Sequence, residues 1–302
     1  PGPTSEQSET VCGRYPFAHG ARDNNVPLRA DCRTLVEHLD PEAGYVTGYH
    51  GKWHLGDEIF RQHGFDEWRS FEDLYLRHYS EGRDRAARSD YHHFLRAQGY
   101  TTANQGVFER HFAARLPESM SKPAFIAGEA CQFIRDHADD PFVLYVSILE
   151  PHMPFFSCRD EQYDPDDVPL PDTFDAVPDD RQHLMKRLMA GRYGTDGFEN
   201  NPLEDEADWR RIKAKYQGLC SLVDTQVGRI LDTLAEQGLD ENTIVVFTSD
   251  HGEMMGDHRT LAKVLMYEQS VRVPLLVRLP GQREGRRITG PFSQIDLVPT
   301  LL

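Results

Sequence analysis

The sequence predicts an α/β fold with a largely parallel central sheet flanked by helices. Three observations predict it. Several apolar, β-rich runs are nearly continuous rather than alternating, as in strands covered on both faces. These runs alternate with helical patterns along the chain. Side chains able to bind anions or metals, or to move protons, collect where the runs end, which is where open α/β sheets place their ligands.

The elements follow in order. "CRTLVEHL" (32–39) reads as a short helix, and "YVTGYH" (45–50) as a strand. "PFVLYVSIL" (141–149) is a second strand. Trp209, Ile212, Tyr216, Leu219, Val223, Val227, Ile230 and Leu234 recur every three or four residues and predict a helix over 208–237. Gly238 then stands where a helix end favours a left-handed residue. "TIVVFTS" (243–249) and "VPLLVRL" (273–279) complete the strands. Residues 57–122 and 156–207 are polar and poor in clean periodicity, and read as insertions that cover or flank a site.

Composition narrows the function classes. The chain has 302 residues with 39% apolar content, enough for a substantial core in one large domain or two ordinary ones. Its formal charge of −16 excludes a general nucleic-acid binder, which needs a basic face. An acidic exterior serves solubility and still leaves room for a basic pocket. Five scattered cysteines (12, 32, 131, 158 and 220) without a C-x-x-C pair exclude a zinc ribbon, a thioredoxin-type site and a disulfide framework. No apolar run approaches the roughly 20 residues of a membrane span, and no signal peptide is visible.

Four stretches carry chemistry. In "GYHGKWHLGD" (48–57), Lys52 and His54 are two apart and share a face if the chain is extended, while Gly48, Gly51 and Gly56 let a ligand approach the backbone. A cation beside an imidazole suits an anion that must also receive a proton, although a surface loop with ordinary charges would look the same. In "SILEPHMPFF" (147–156), prolines stiffen the strand exit around His152, which is catalytic or structural. In "VVFTSDHGEMMGDHR" (245–259), Asp250 beside His251 forms a half-site for a divalent metal, unless His251 only caps the turn. In "LAKVLMYEQSVRVPLL" (261–276), Lys263 needs an anionic partner, either Glu268 or a substrate oxyanion. Together they describe a pocket for a tetrahedral oxyanion ester. Lysines and a metal would neutralise developing charge, and histidines would protonate the leaving oxygen or activate a nucleophile.

"GRYPFAHGARDN", "AGYVTGYHGKWHLG", "GFDEW", "LEPHMPF", "TSDHGEMMGDH", "KVLMYEQSVRVPLLVRLPG" and "QIDLVPTLL" resemble, in order, the sulfatase family of the alkaline phosphatase superfamily. The resemblance covers most of the chain. It implies an alkaline-phosphatase-like catalytic domain over 1–302, lacking the family's first strand and C-terminal subdomain. It implies hydrolysis of a small-molecule or sugar sulfate ester through a covalent intermediate on a formylglycine. Lys52, His54, His152 and Lys263 would be catalytic, with Lys52, His152, His258 and Lys263 binding substrate. Asp250 and His251 would ligate the metal, with calcium expected and manganese or magnesium as alternatives. The Asp-His pair, where many relatives carry Asp-Asn, is more similar to the choline-sulfatase and phosphonate-hydrolase branches.

Two departures from the family pattern stand out. No C-x-P-S-R stretch occurs, and Cys12 directly abuts Gly13 in "SETVCGRYPF". Either Cys12 is the nucleophile position with the following segment absent, or this start is unrelated and the nucleophile is lost. The acidic pair that completes the family's metal site is also missing, so Asp250 and His251 supply only part of a shell of six or more ligands. Three readings therefore stand: a sulfatase, a phosphonate monoester or phosphodiester hydrolase on the same scaffold, and a non-catalytic anion binder. Tyr75, Arg77, His78 and Tyr79 are candidate wall residues.

Overall fold

The computed structural model of the chain describes residues 9–21, 23–102, 106–199, 201–263 and 265–302. Three parallel strands, β1 (Val46–Gly51), β2 (Glu67–Arg69) and β3 (Phe142–Ser147), form a sheet in the order β2-β1-β3. The longer helices are α1 (Asp90–Ala97), α2 (Lys122–Asp136), α3 (Leu184–Asp196) and α4 (Glu206–Glu236). A separate antiparallel ladder joins β4 (Val245–Thr248) to β5 (Leu275–Arg278). No helix among the described residues is long and apolar enough to cross a membrane, and all five cysteines are free.

β1 is the axis of the core. The Tyr49 ring stacks on Trp68 at 4.8 Å and meets Trp53 edge-on at 5.0 Å, and such aromatic pairs are favourable beyond the area they bury. On the other face, Phe133 of α2 packs edge-on against His50 at 5.6 Å and Phe142 at 5.8 Å. α2 starts at Ser121, whose hydroxyl accepts from the Ala124 amide, an N-cap that satisfies one orphan donor. α4 lies against α2, with the Cys131 thiol 3.6 Å from the Arg229 carbonyl and Arg135 Nη2 3.5 Å from Thr233 Oγ1. Gly238 after α4 has φ of 69°.

The predicted strands and the 208–237 helix match observed elements within a few residues, and the predicted 32–39 helix shrinks to Leu35–His38 behind a Thr34/Glu37 capping box. Three findings differ from expectation. The region 57–122 contributes β2 to the sheet, with Trp68 alone facing the core; a three-residue strand is too short to show alternation. Helices α1, α2 and α3 emerge where no helical pattern was read, and α3 buries Ala190 and Tyr193 while leaving Leu184 and Leu188 more than half exposed. β4 and β5 are partly exposed, with Leu276 at 60%, because a two-stranded ladder lacks a layer on one face.

Gly51 permits the closest approach in the sheet. It has φ of 129°, and a Cβ there would fall 2.0 Å from the Ser147 carbonyl oxygen. Gly51→Ala is expected to destabilise the protein by about 2–4 kcal/mol, from strain plus overpacking, measured by urea unfolding. His50 generates a second prediction. It is 1% exposed, and neither ring nitrogen has a hydrogen-bond partner among the described residues. Burial, and then Arg69, pull it from 6.5 down to about 3. The unfolded chain therefore binds the proton that the folded chain refuses, and stability present above pH 6.5 is lost as pH falls. His50→Leu should remove about 2 kcal/mol of the stability difference between about pH 7 and 5, measured by denaturation at each pH.

Candidate active site

Because β1 and β3 run parallel with Gly51 paired to Ser147, their carboxyl ends open at the same sheet edge. The Lys52 amide donates to the Ser147 carbonyl at 3.0 Å, one step beyond the ladder. The Tyr49 hydroxyl donates to the Lys52 carbonyl at 2.6 Å and fixes the strand exit. The chain then turns sharply, with His54 at φ of 59°. The buried Glu58 carboxylate accepts from the Trp53 and His54 amides at 2.9 and 2.6 Å. This turn buries Lys52 and His54, each 6% exposed.

β3 delivers His152 to the same edge, and β4 delivers Asp250 and His251. The His152 and His251 rings lie 6.3 Å apart. His251 Nε2 is 3.6 Å from Asp250 Oδ2. Each imidazole has Nδ1 against a carbonyl, Met153 at 3.0 Å and Gly252 at 2.9 Å. A carbonyl only accepts, so Nδ1–H donates and the neutral rings present the Nε2 lone pair to the pocket. Gln294 Nε2 donates to the Ser249 and Asp250 carbonyls, both at 2.7 Å, and clamps the β4 exit. Gly252 lets the chain pass against Gln269, whose carbonyl would lie 2.0 Å from an added Cβ.

Electrostatics couples the charged groups at these exits. Lys52 is pushed down to about 8 by burial, then by Arg110 and Lys263, against the pull of Asp250 and Glu58. Burial, Lys263, Lys52 and Arg110 hold His152 far below the usual imidazole range. His54 is depressed by burial, Lys52, Arg110, Lys263 and His251. Burial raises Glu58 to about 7. The arrangement is a cation-rich, water-poor pocket suited to a charged ester head.

Arg110 belongs to this set and was not anticipated, because it lies in a polar stretch without periodicity. Its Nε donates to the fully buried Glu72 and its Nη2 to the Tyr75 hydroxyl, both at 2.7 Å. The Tyr75 ring stacks on His54 at 5.0 Å, so one of the anticipated wall residues lines the site. Tyr79 is buried against Phe60, and Arg77 is engaged with His78. Glu58 follows the Lys52/His54 motif by only a few residues, and that proximity could have marked it.

Two anticipated residues are not brought to the pocket. Cys12 is 4% exposed in the core around Tyr49. Burial and the neighbouring Cys32 push its thiol up to about 12, the reverse of what a nucleophile needs. The stretch 1–8 before it lies outside the described residues. His258 is turned to another wall, stacked on Tyr267 at 4.2 Å with Nδ1 2.7 Å from the Ala176 carbonyl. Asp250 and His251 sit close enough to share one ion, and the His251 tautomer leaves Nε2 for it. Among the described residues, no group of three or more His, Cys, Asp or Glu could hold a metal ion.

Comparison with known proteins gives this geometry a family. A family profile described as Sulfatase matches residues 6–302. The uncharacterised sulfatase YidJ of Escherichia coli (strain K12) is 30% identical, covering 99% of this chain and 57% of that protein. The choline-sulfatase of Rhizobium meliloti (strain 1021) is 30% identical, covering 96% of this chain and 56% of that protein. The chain thus spans a little over half the length of these curated relatives. In structure, it resembles the phosphonate monoester hydrolase of Silicibacter pomeroyi, with a TM-score of 0.77 at 23% identity over 98% of this chain and 62% of that one. That likeness is one of fold. With profile and relatives in agreement over nearly the whole chain, this protein belongs to the sulfatase family.

Proposed function

We propose that the protein hydrolyses sulfate monoesters of small molecules or sugars. One observation carries the reading: Lys52, Lys263 and Arg110 lie close enough to His54 and His152 to hold both imidazoles below their usual range. A non-catalytic anion binder has no need to set the buried Lys52 and the half-buried Arg110 and Lys263 against two depressed imidazoles, since burying charge costs desolvation energy.

The chain's own groups would act as follows. Lys52 and Lys263 bind the anionic ester head and neutralise charge as it builds on the oxygens. In the free protein His152 is neutral, because burial and the facing lysines oppose a second proton. An anionic ester offsets those lysines, so His152 gains a proton at Nε2 and can pass it to the leaving oxygen as the ester S–O bond breaks, while water attacks sulfur and gives its proton to solvent. His54, held by the Glu58 turn and the Tyr75 ring, positions the opposite side of the head.

A divalent cation, calcium by preference with manganese or magnesium as alternatives, would be held by Asp250 and His251. When bound, it would supply Lewis-acid stabilisation of the ester oxygens. The two donors fit one edge of its shell and leave the rest unfilled by the described residues, so no step is derived through it. A formylglycine has no C-x-P-S-R host here. Cys12 faces Cys32 in the core, and no covalent step is derived from it either.

The test is turnover of a generic aryl sulfate with calcium or manganese. Lys52→Ala and His152→Ala are each expected to lower kcat/KM by about 10²–10³. Wild type no faster than either variant would sink the hydrolase reading. The Asp250–His251 pair also motivates a phosphonate monoester as second substrate, and a higher kcat/KM on it would move the assignment to that ester. Chelation should abolish turnover and readded metal restore it; activity indifferent to both would remove the metal from the proposal.

A further inference from the structure

Behind His152 lies a second, narrower space. It is walled by Arg110, Ser121, Lys122, Glu150, His152 and Ser157, among others. Of the described site residues, Lys52, His54, Asp250, His251 and Lys263 do not line it. Arg110 and His152 are therefore the two residues of the candidate site that line this cavity. About 20 Å³ of it is open to the centre of a water-sized sphere, which is room for a small polar group rather than a ring.

We propose that this cavity is a subsite for a carboxylate carried by the alcohol that leaves the ester. The assignment rests on the hydrolase reading above and names its substrate class: sulfate esters whose alcohol bears an acidic substituent.

Three features support it. First, the wall holds unsatisfied hydrogen-bonding groups. Lys122 is 3% exposed and its Nζ makes no hydrogen bond among the described residues. Glu150 Oε2 is likewise buried without a partner. Buried polar atoms left open call for a ligand or an ordered water. Second, the charges do not balance. Glu72 lies 2.7 Å from Arg110 Nε and 3.5 Å from Lys122 Nζ, one carboxylate for two cations. Burial raises the Glu150 carboxyl against the pull of Lys122. An entering carboxylate would add a counter-charge beside Arg110 and Lys122. Third, the recognition group is rigid. Arg110 is fixed through Nε and Nη2 to Glu72 and Tyr75, which leaves its Nη1 edge, among the described residues, for a carboxylate oxygen. A planar two-oxygen group fits the narrow space better than a tetrahedral second sulfate.

The test compares phenyl sulfate with 3-carboxyphenyl sulfate, whose leaving groups are closely matched. The wild type should favour the carboxylated ester by at least about tenfold in kcat/KM, and Lys122→Gln and Arg110→Gln should each lower that preference about tenfold. A wild type without preference overturns the subsite while the hydrolase reading stands, and this arm needs no substitution. Equal losses on both esters also overturn it, since the cations would then act on the ester head or the fold. Calorimetric titration with benzoate reads the subsite without turnover, with an expected weakening of about tenfold or more in Lys122→Gln. Absence of benzoate binding to the wild type, or equal affinity in the variant, overturns the subsite. Lys122-dependent benzoate binding without hydrolysis of either ester would end the hydrolase reading and keep the anion subsite.

Discussion

The parallel pairing of β1 with β3 is the constraint on which the rest of the site depends. Its register, Gly51 opposite Ser147, sets where both strands end. Everything chemical on these two strands lies just past that point: Lys52 and His54 on one, His152 on the other. Only a residue without a side chain tolerates the backbone approach at Gly51. Once the strands are locked, the Tyr49 hydroxyl and the Glu58 carboxylate shape the Lys52–His54 turn from inside the core. The geometry of the candidate site is thus a by-product of strand register, stiffened by buried hydrogen bonds that a solvent-exposed loop would not sustain.

Burying so many cations in one place needs counter-charges, and the fold supplies them in layers. Asp250 and Glu58 offset Lys52 from two sides. Glu72, deeper, offsets Arg110 and Lys122. Burial and the surrounding cations hold His54 and His152 neutral. Under the proposed function, such a site is poised rather than relaxed, because an anionic ligand would offset its cations and alter the proton affinity of the histidines. The region 57–122 is central to this. It brings β2, Glu72, Tyr75 and Arg110, and it is tied back to the strand exit where Asp57 accepts from the Ser80 amide at 2.7 Å and from Arg83 Nε at 3.2 Å.

Much of this was legible in the residues. Near-continuous apolar runs located β1, β3, β4 and β5 because strands within a layered fold need such content. The 3.6-residue repeat located α4, since a helix of 31 residues presents many turns for the pattern to emerge. Lys52, His54, His152, Asp250 and Lys263 stood out because charged and titratable groups at strand ends break the surrounding apolar logic. Arg110, Glu72 and Lys122 did not, because in polar surroundings a charged residue carries no local mark, while Glu150 was seen only as the end of a strand. α2 was legible in principle, from Ser121, Pro123 and the Phe125–Ile126 face, but its small residues dilute the repeat.

What the sequence alone determined is the class of fold, the positions of the main strands and the family, since these rest on patterns repeated over many residues or on motifs read in order. Cys12 shows the limit: its neighbourhood in the chain suggested chemistry, and its neighbourhood in space is the Tyr49 core. Only tertiary structure decided which charges share a void, which tautomer each histidine adopts and which acids neutralise which bases. Coulomb energy depends on distance and burial, and both are created when segments remote in the chain are packed together.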